Sequence, residues 1–119
     1  MTDNAPLSRA AERLIARHIH SVGTLDLLLL LHGGRDRDWS LEELCGVLRC
    51  PDGWAEEQIA ALAAIGLVGE TAERRYQYRR GRQYGPATDA VARACRRDRA
   101  AVTRLIFARP PHGPRQLAP

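Results

Sequence analysis

The sequence predicts a mainly α-helical domain with one small β-hairpin, an α+β fold in which N- and C-terminal helices flank a central helical group. Three observations carry this. Apolar residues recur at helical spacing through most of the chain, Ser40 and Glu43 have the spacing of a helix-opening capping box, and the short runs LVGE and YQYR follow Gly66. At 119 residues the chain suits a single core, which at this size buries roughly two thirds of the unfolded surface. One domain is expected over residues 1–109, with a flexible proline-rich tail over 110–119.

The first helix is read from Leu7, Ala11, Leu14, Ile15 and His18, with Asn4 or Ser8 as its start. A break at Ser21 to Thr24, containing Gly23, separates it from LDLLLLL, the run Leu25 to Leu31. On a helical wheel Leu25, Leu28 and Leu29 share one face while Leu27, Leu30 and Leu31 occupy the other. Such a helix must be covered on both sides. Gly33 and Gly34 end it, and RDRD forms a polar loop.

A short helix then runs from Leu41 to about Arg49 behind the capping box. Trp39, just ahead of it, is assigned to core packing. Cys50 to Gly53 is expected to turn, and a helix spans about Trp54 to Ile65 with Ile59, Leu62 and Ile65 inward. Gly66 supplies a left-handed stop. The hairpin follows, its runs joined by TAERR, and Gly81 to Pro86 forms a linker. Thr88 or Asp89 is expected to cap a final helix reaching Ala108, whose apolar side is Val91, Cys95, Val102, Leu105 and Ile106. Arg93, Arg96, Arg97 and Arg104 lie opposite, and Pro110, Pro111 and Pro114 forbid regular structure beyond.

Composition narrows the classes. The formal charge is +4, permitting an acidic partner such as nucleic acid. All 18 basic side chains are arginine, which with the many alanines suggests a high-GC bacterial genome. The leucine run is shorter than the roughly 20 apolar residues that span a bilayer, and MTDNAPLSRAAER has no signal-peptide pattern, so a cytoplasmic location without membrane contact is expected. Cys45, Cys50 and Cys95 are sparse and odd in number, which favours reduced thiols. No phosphate-cradling glycine motif, HExxH or nucleophile elbow occurs, and no catalytic residue or cofactor is assigned. His18 and His20 diverge on a helix, and no metal site is expected.

Helix, short helix, turn, helix, hairpin, helix is the order of a winged helix-turn-helix domain. The stretch EEQIAALAAIGLVGE followed by a hairpin resembles the reading-helix end and wing of ArsR- and MarR-type regulators, over about Leu25 to Arg80. Their Cys-x-Cys metal box falls here on Ser40 and Glu42, so the thiolate pair is missing. The resemblance implies a transcriptional regulator that binds duplex DNA as a homodimer. Trp54, Glu57 and Gln58 would face the major groove, and Arg74, Arg75 and Arg79 would clamp phosphates.

The reading helix also carries Asp52 and Glu56, and carboxylates there repel phosphates. The alternative is therefore a winged-helix adaptor that contacts another protein through this acidic helix, or an acidic partner through the basic last helix. Leu27, Leu30 and Leu31 need the terminal helices as cover, from the same chain or from a second subunit. A dimer seam of Leu27, Leu30, Leu31, Val91, Val102, Leu105 and Ile106 is expected, with Asp98 paired to a symmetry-related arginine.

Overall fold

Three serines each turn a hydroxyl onto the backbone amide three residues ahead, and each opens a helix. Ser8 accepts from Ala11 N at 3.1 Å, Ser21 from Thr24 N at 3.1 Å and Ser40 from Glu43 N at 3.0 Å. The helices they start are α1 (Arg9–His18), α2 (Val22–Gly33) and α3 (Leu41–Leu48). At Ser40 the box is complete, because Glu43 Oε1 accepts from Ser40 N at 2.9 Å. Each such cap is worth about 1 kcal/mol. The computed structural model describes residues 8–108. Asn4, Leu7 and the proline-rich segment lie outside the described residues.

Helix α4 (Asp52–Ala64) starts earlier than the sequence suggests. Arg49 takes the left-handed turn at φ 58°, Pro51 stands at the cap, and Asp52 and Gly53 are already helical. Proline needs no amide hydrogen at the cap, and Asp52 in the first turn suits the positive end of the helix dipole. Gly66, at φ +85°, ends α4 as expected. Its amide donates to Ala63 O and that of Leu67 to Leu62 O, both at 3.0 Å, which closes the last turn in a Schellman pattern.

The sheet is antiparallel, ordered β1 (Trp39–Ser40), β3 (Arg75–Tyr78), β2 (Val68–Ala72). Thr71 and Ala72 belong to a strand rather than to the loop. The reversal is confined to Glu73 and Arg74, with Arg74 at φ 60° and a register shift between Glu70 and Ala72. Trp39 pairs across to Tyr76 and is buried, as expected.

Helix α5 (Gly85–Ala108) departs from the sequence reading at three points. It begins inside the expected linker, because Pro86 sits in a first turn that needs no amide from it. Neither Thr88 nor Asp89 caps it: Thr88 Oγ1 donates to Tyr84 O at 2.8 Å, and Asp89 is held by His32 and Arg80. The helix also breaks at Asp98 (φ −160°, ψ 84°), whose carboxylate accepts from Ala101 N at 3.2 Å and so starts a second segment. Asp98 is exposed and satisfied within its own chain, so no symmetry-related arginine is required.

Leu25, Leu27, Leu28 and Leu31 have no exposed surface, while Leu29 and Leu30 are half-buried. Helix α2 is surrounded by α3, β3 and α5, and α1 packs on α5. Each leucine so covered contributes roughly 1.5 to 3 kcal/mol. The aspartate interrupting the run, Asp26, pairs with Arg99 of α5. Val91, Val102 and Ile106 join the same core. The leucine helix is thus covered within the chain, by α3, β3 and the C-terminal helix. Five residues of the expected dimer seam, Leu27, Leu31, Val91, Val102 and Ile106, have almost no surface left to offer a second subunit. Leu30 stays half-buried and Leu105 is 38% exposed.

Candidate interaction surface

The expected break at Ser21 to Thr24 is a continuous helix start, and Gly23 serves a different purpose there. An added Cβ would come within 3.0 Å of the Trp54 ring, so the glycine lets the indole of α4 lie against α2. Trp54 is consequently half-buried. One turn further on, Thr24 Oγ1 donates to Gln58 Oε1 at 3.0 Å. Trp54 and Gln58, two of the three residues expected to face outward from α4, therefore join it to α2. Among the sequence-expected contacts on this helix, Glu57 alone is exposed.

The outer side of α4 carries Asp52, Glu56 and Glu57, followed by exposed Ala60, Ala61, Ala63 and Ala64. No basic side chain lies within α4. Arg74, at the hairpin tip, reaches back to Glu56 at 3.4 Å and donates its backbone amide to Glu70 at 2.8 Å. Arg75 is not at the tip but opens β3, where it lies 3.1 Å from Asp38 and 3.5 Å from Glu43. Asp38 also accepts from Thr71 Oγ1 at 2.7 Å. Hydrogen bonds from Arg75 and then Thr71 hold the Asp38 carboxyl below its ordinary value. For Glu43 the amide of Ser40 does most of the same work. Arg37 lies 3.9 Å above the Trp39 ring and 2.9 Å from Glu43, extending this network.

Arg79 is exposed, and its Cδ and guanidinium cross the face of Gly69, where a Cβ would displace them. Beside it, α4 and β2 bound a groove of about 360 Å³. Its floor includes Ile59, Val68 and Tyr76, and Glu56 and Glu70 stand on its rim. The sequence reading missed this groove. Its only signal was the placement of alanines at 60 and 63, one helical face, beside a strand of small and apolar residues.

No cysteine lines this groove. Burial, then hydrogen bonding to Asp52 and Cys50, pushes the Cys45 thiol up to about 12. Burial also raises Cys95. His18 bonds Tyr84 Oη at 3.1 Å, and His20, which lies beyond the end of α1, bonds Arg17 O at 2.8 Å. Among the described residues no three histidine, cysteine or carboxylate side chains are grouped to hold a metal ion. No described helix is long and apolar enough to cross a membrane. The chain matches no family model, no curated protein sequence and no solved structure.

Proposed function

We propose that the chain is a winged-helix interaction module that docks a basic segment of another protein in the groove between α4 and the hairpin. In this arrangement α3 and α4 are the helix-turn-helix pair, the hairpin is the wing, and α4 stands where a DNA reader would place its recognition helix. The observation that carries the reading is the charge of that helix. Its outward residues are Asp52, Glu56, Glu57 and alanines, and both arginines at the turn and start of β3 are already paired with carboxylates. Phosphates would meet acceptors where they need donors. A lysine- or arginine-bearing segment with one apolar anchor would find the complementary rim and floor.

A second reading, the homodimeric DNA-binding regulator, is favoured by one observation. The Arg74–Glu56 pair is long and its side chains are 66% and 53% exposed, so phosphate could displace the carboxylate at little cost. Arg79 and Arg82 nearby are exposed and enter no ion pair among the described residues. Titration with random-sequence duplex DNA at about 50 and 200 mM salt separates the two. The interaction module gives no binding, or binding that is indifferent to Arg74→Ala. Affinity that falls steeply with salt and is weakened by Arg74→Ala overturns it in favour of the regulator. In parallel, an amphipathic lysine-leucine peptide should bind the wild type, and Glu56→Arg/Glu70→Arg should abolish that binding.

A further inference from the structure

We propose that the cleft between the C-terminal end of α2, the base of the hairpin and the first segment of α5 binds a small phosphate-bearing anion. The cleft has a volume of about 470 Å³ and is distinct from the groove beside α4. Four arginines, Arg35, Arg80, Arg93 and Arg96, line it against two carboxylates, Asp36 and Asp89. Asp89 is already engaged: His32 Nε2 lies 2.9 Å from one oxygen and Arg80 Nη2 3.0 Å from the other. Arg35 donates only to the uncharged carbonyl of His32, at 2.9 Å. Arg93 and Arg96 are exposed and form no ion pair among the described residues.

Guanidinium groups cannot shed their charge, and three of the four here, Arg35, Arg93 and Arg96, have no carboxylate partner among the described residues, so the cleft attracts an anion. Arginine forks match phosphate oxygens in pairs. The excess of two positive charges corresponds to a phosphomonoester, which carries about −1.5 to −2 at neutral pH. The wall supplies an independent sign of a missing ligand. Tyr78 is 7% exposed, and its buried hydroxyl has no hydrogen-bond partner. The nearby Thr88 hydroxyl tempers the upward pull of burial on Tyr78 but does not reach it with normal hydrogen-bond geometry. An unused donor in the wall of a cationic cleft is suited to an anionic oxygen. The concave shape favours a small molecule over the extended backbone of a duplex.

The inference does not depend on what occupies the α4 groove. Isothermal titration with inorganic phosphate at low salt should show saturable binding of one ion per chain. Arg93→Ala/Arg96→Ala should weaken it at least tenfold and Tyr78→Phe several-fold. Arg13→Ala/Arg104→Ala removes the same charge elsewhere and should leave affinity within twofold. All four arginines are exposed, so both double variants should keep the wild-type melting curve. Non-saturable binding, or equal weakening by the two double variants, would reduce the effect to general charge attraction and overturn the proposal. Displacement of phosphate by random-sequence duplex DNA through the same arginines would overturn it too, assigning the cleft to nucleic acid.

Discussion

Leu105, Ile106 and Phe107 occupy one turn of α5 and are 38%, 4% and 73% exposed, so aspartate at each tests how this chain covers its leucine helix. Ile106→Asp removes a buried side chain and puts an unpaired carboxylate in its place, a loss on the order of 4 kcal/mol or more. That is comparable with the whole stability of a small domain. At about 4 °C per kcal/mol the melting midpoint should fall by at least roughly 15 °C. Leu105→Asp loses only part of a leucine's burial, about 1 to 2 kcal/mol, and leaves its carboxylate in water. Phe107→Asp should change the midpoint by no more than about 2 °C, as surface changes do. Circular dichroism melts give the midpoints, and sedimentation velocity at micromolar concentration gives the assembly state. The expected order of damage is 106, then 105, then 107, with the variants at 105 and 107 sedimenting as the wild type does. If Leu105→Asp or Phe107→Asp is as damaging to the melting midpoint as Ile106→Asp, a second subunit covers this end of α5 and the intramolecular account fails.

Two glycines should respond with opposite signs. Gly66→Ala forces a side chain into φ +85° and should cost on the order of 1 to 2 kcal/mol, whereas Gly46→Ala, in α3 with open space around it, should stabilise by about 0.5 to 1 kcal/mol. Urea denaturation checks both, and a shared sign would contradict the proposed end of α4. Burial raises the Asp89 carboxyl, but hydrogen bonds from His32 and Arg80 outweigh it and hold the group below its ordinary value. Its stabilising contribution is therefore present above the unfolded carboxylate range, near pH 4, and is lost as pH falls through the lower folded value. Asp89→Asn should be less stable than the wild type at pH 7 and lose less on going to pH 3. Equal acid sensitivity would remove Asp89 from the core network. Cys45, pushed up to about 12, should alkylate at pH 7.5 at least about tenfold slower in the native chain than in urea, as mass spectrometry of labelled peptides would show. Equal rates would mean that α3 opens readily.

What could be read from the sequence is what local chemistry decides. The Ser40 capping box and the Gly66 stop each lie within a few residues and form as expected. The double-sided leucine helix followed from its wheel alone. Long-range pairings were invisible. Thr24 meets Gln58 across 34 positions and Asp38 meets Arg75 across 37, and these contacts redirect the side chains that seemed free to read DNA. Gly23 and Pro86 misled for a related reason. Each was taken as punctuation, whereas one accommodates an indole and the other sits in a first turn where proline is tolerated.

The break at Asp98 shows how one such unseen feature alters the functional expectation. An unbroken helix over the 24 residues of α5 would run about 36 Å on a single axis, and nothing in its composition, which has neither glycine nor proline near position 98, signals an interruption. The carboxylate substitutes for the lost helical hydrogen bonding by accepting the Ala101 amide, so the second segment starts with a cap of its own. Val102 and Ile106 then enter the same core as Val91, while Arg99 pairs with Asp26. The apolar stripe that seemed to demand a second chain is thereby used up within one. With that demand gone, a two-fold operator no longer follows from the leucine helix, and any dimer must be built from what the chain leaves exposed: Leu105 and Phe107 at the end of α5, and the charged surfaces on either side of the hairpin.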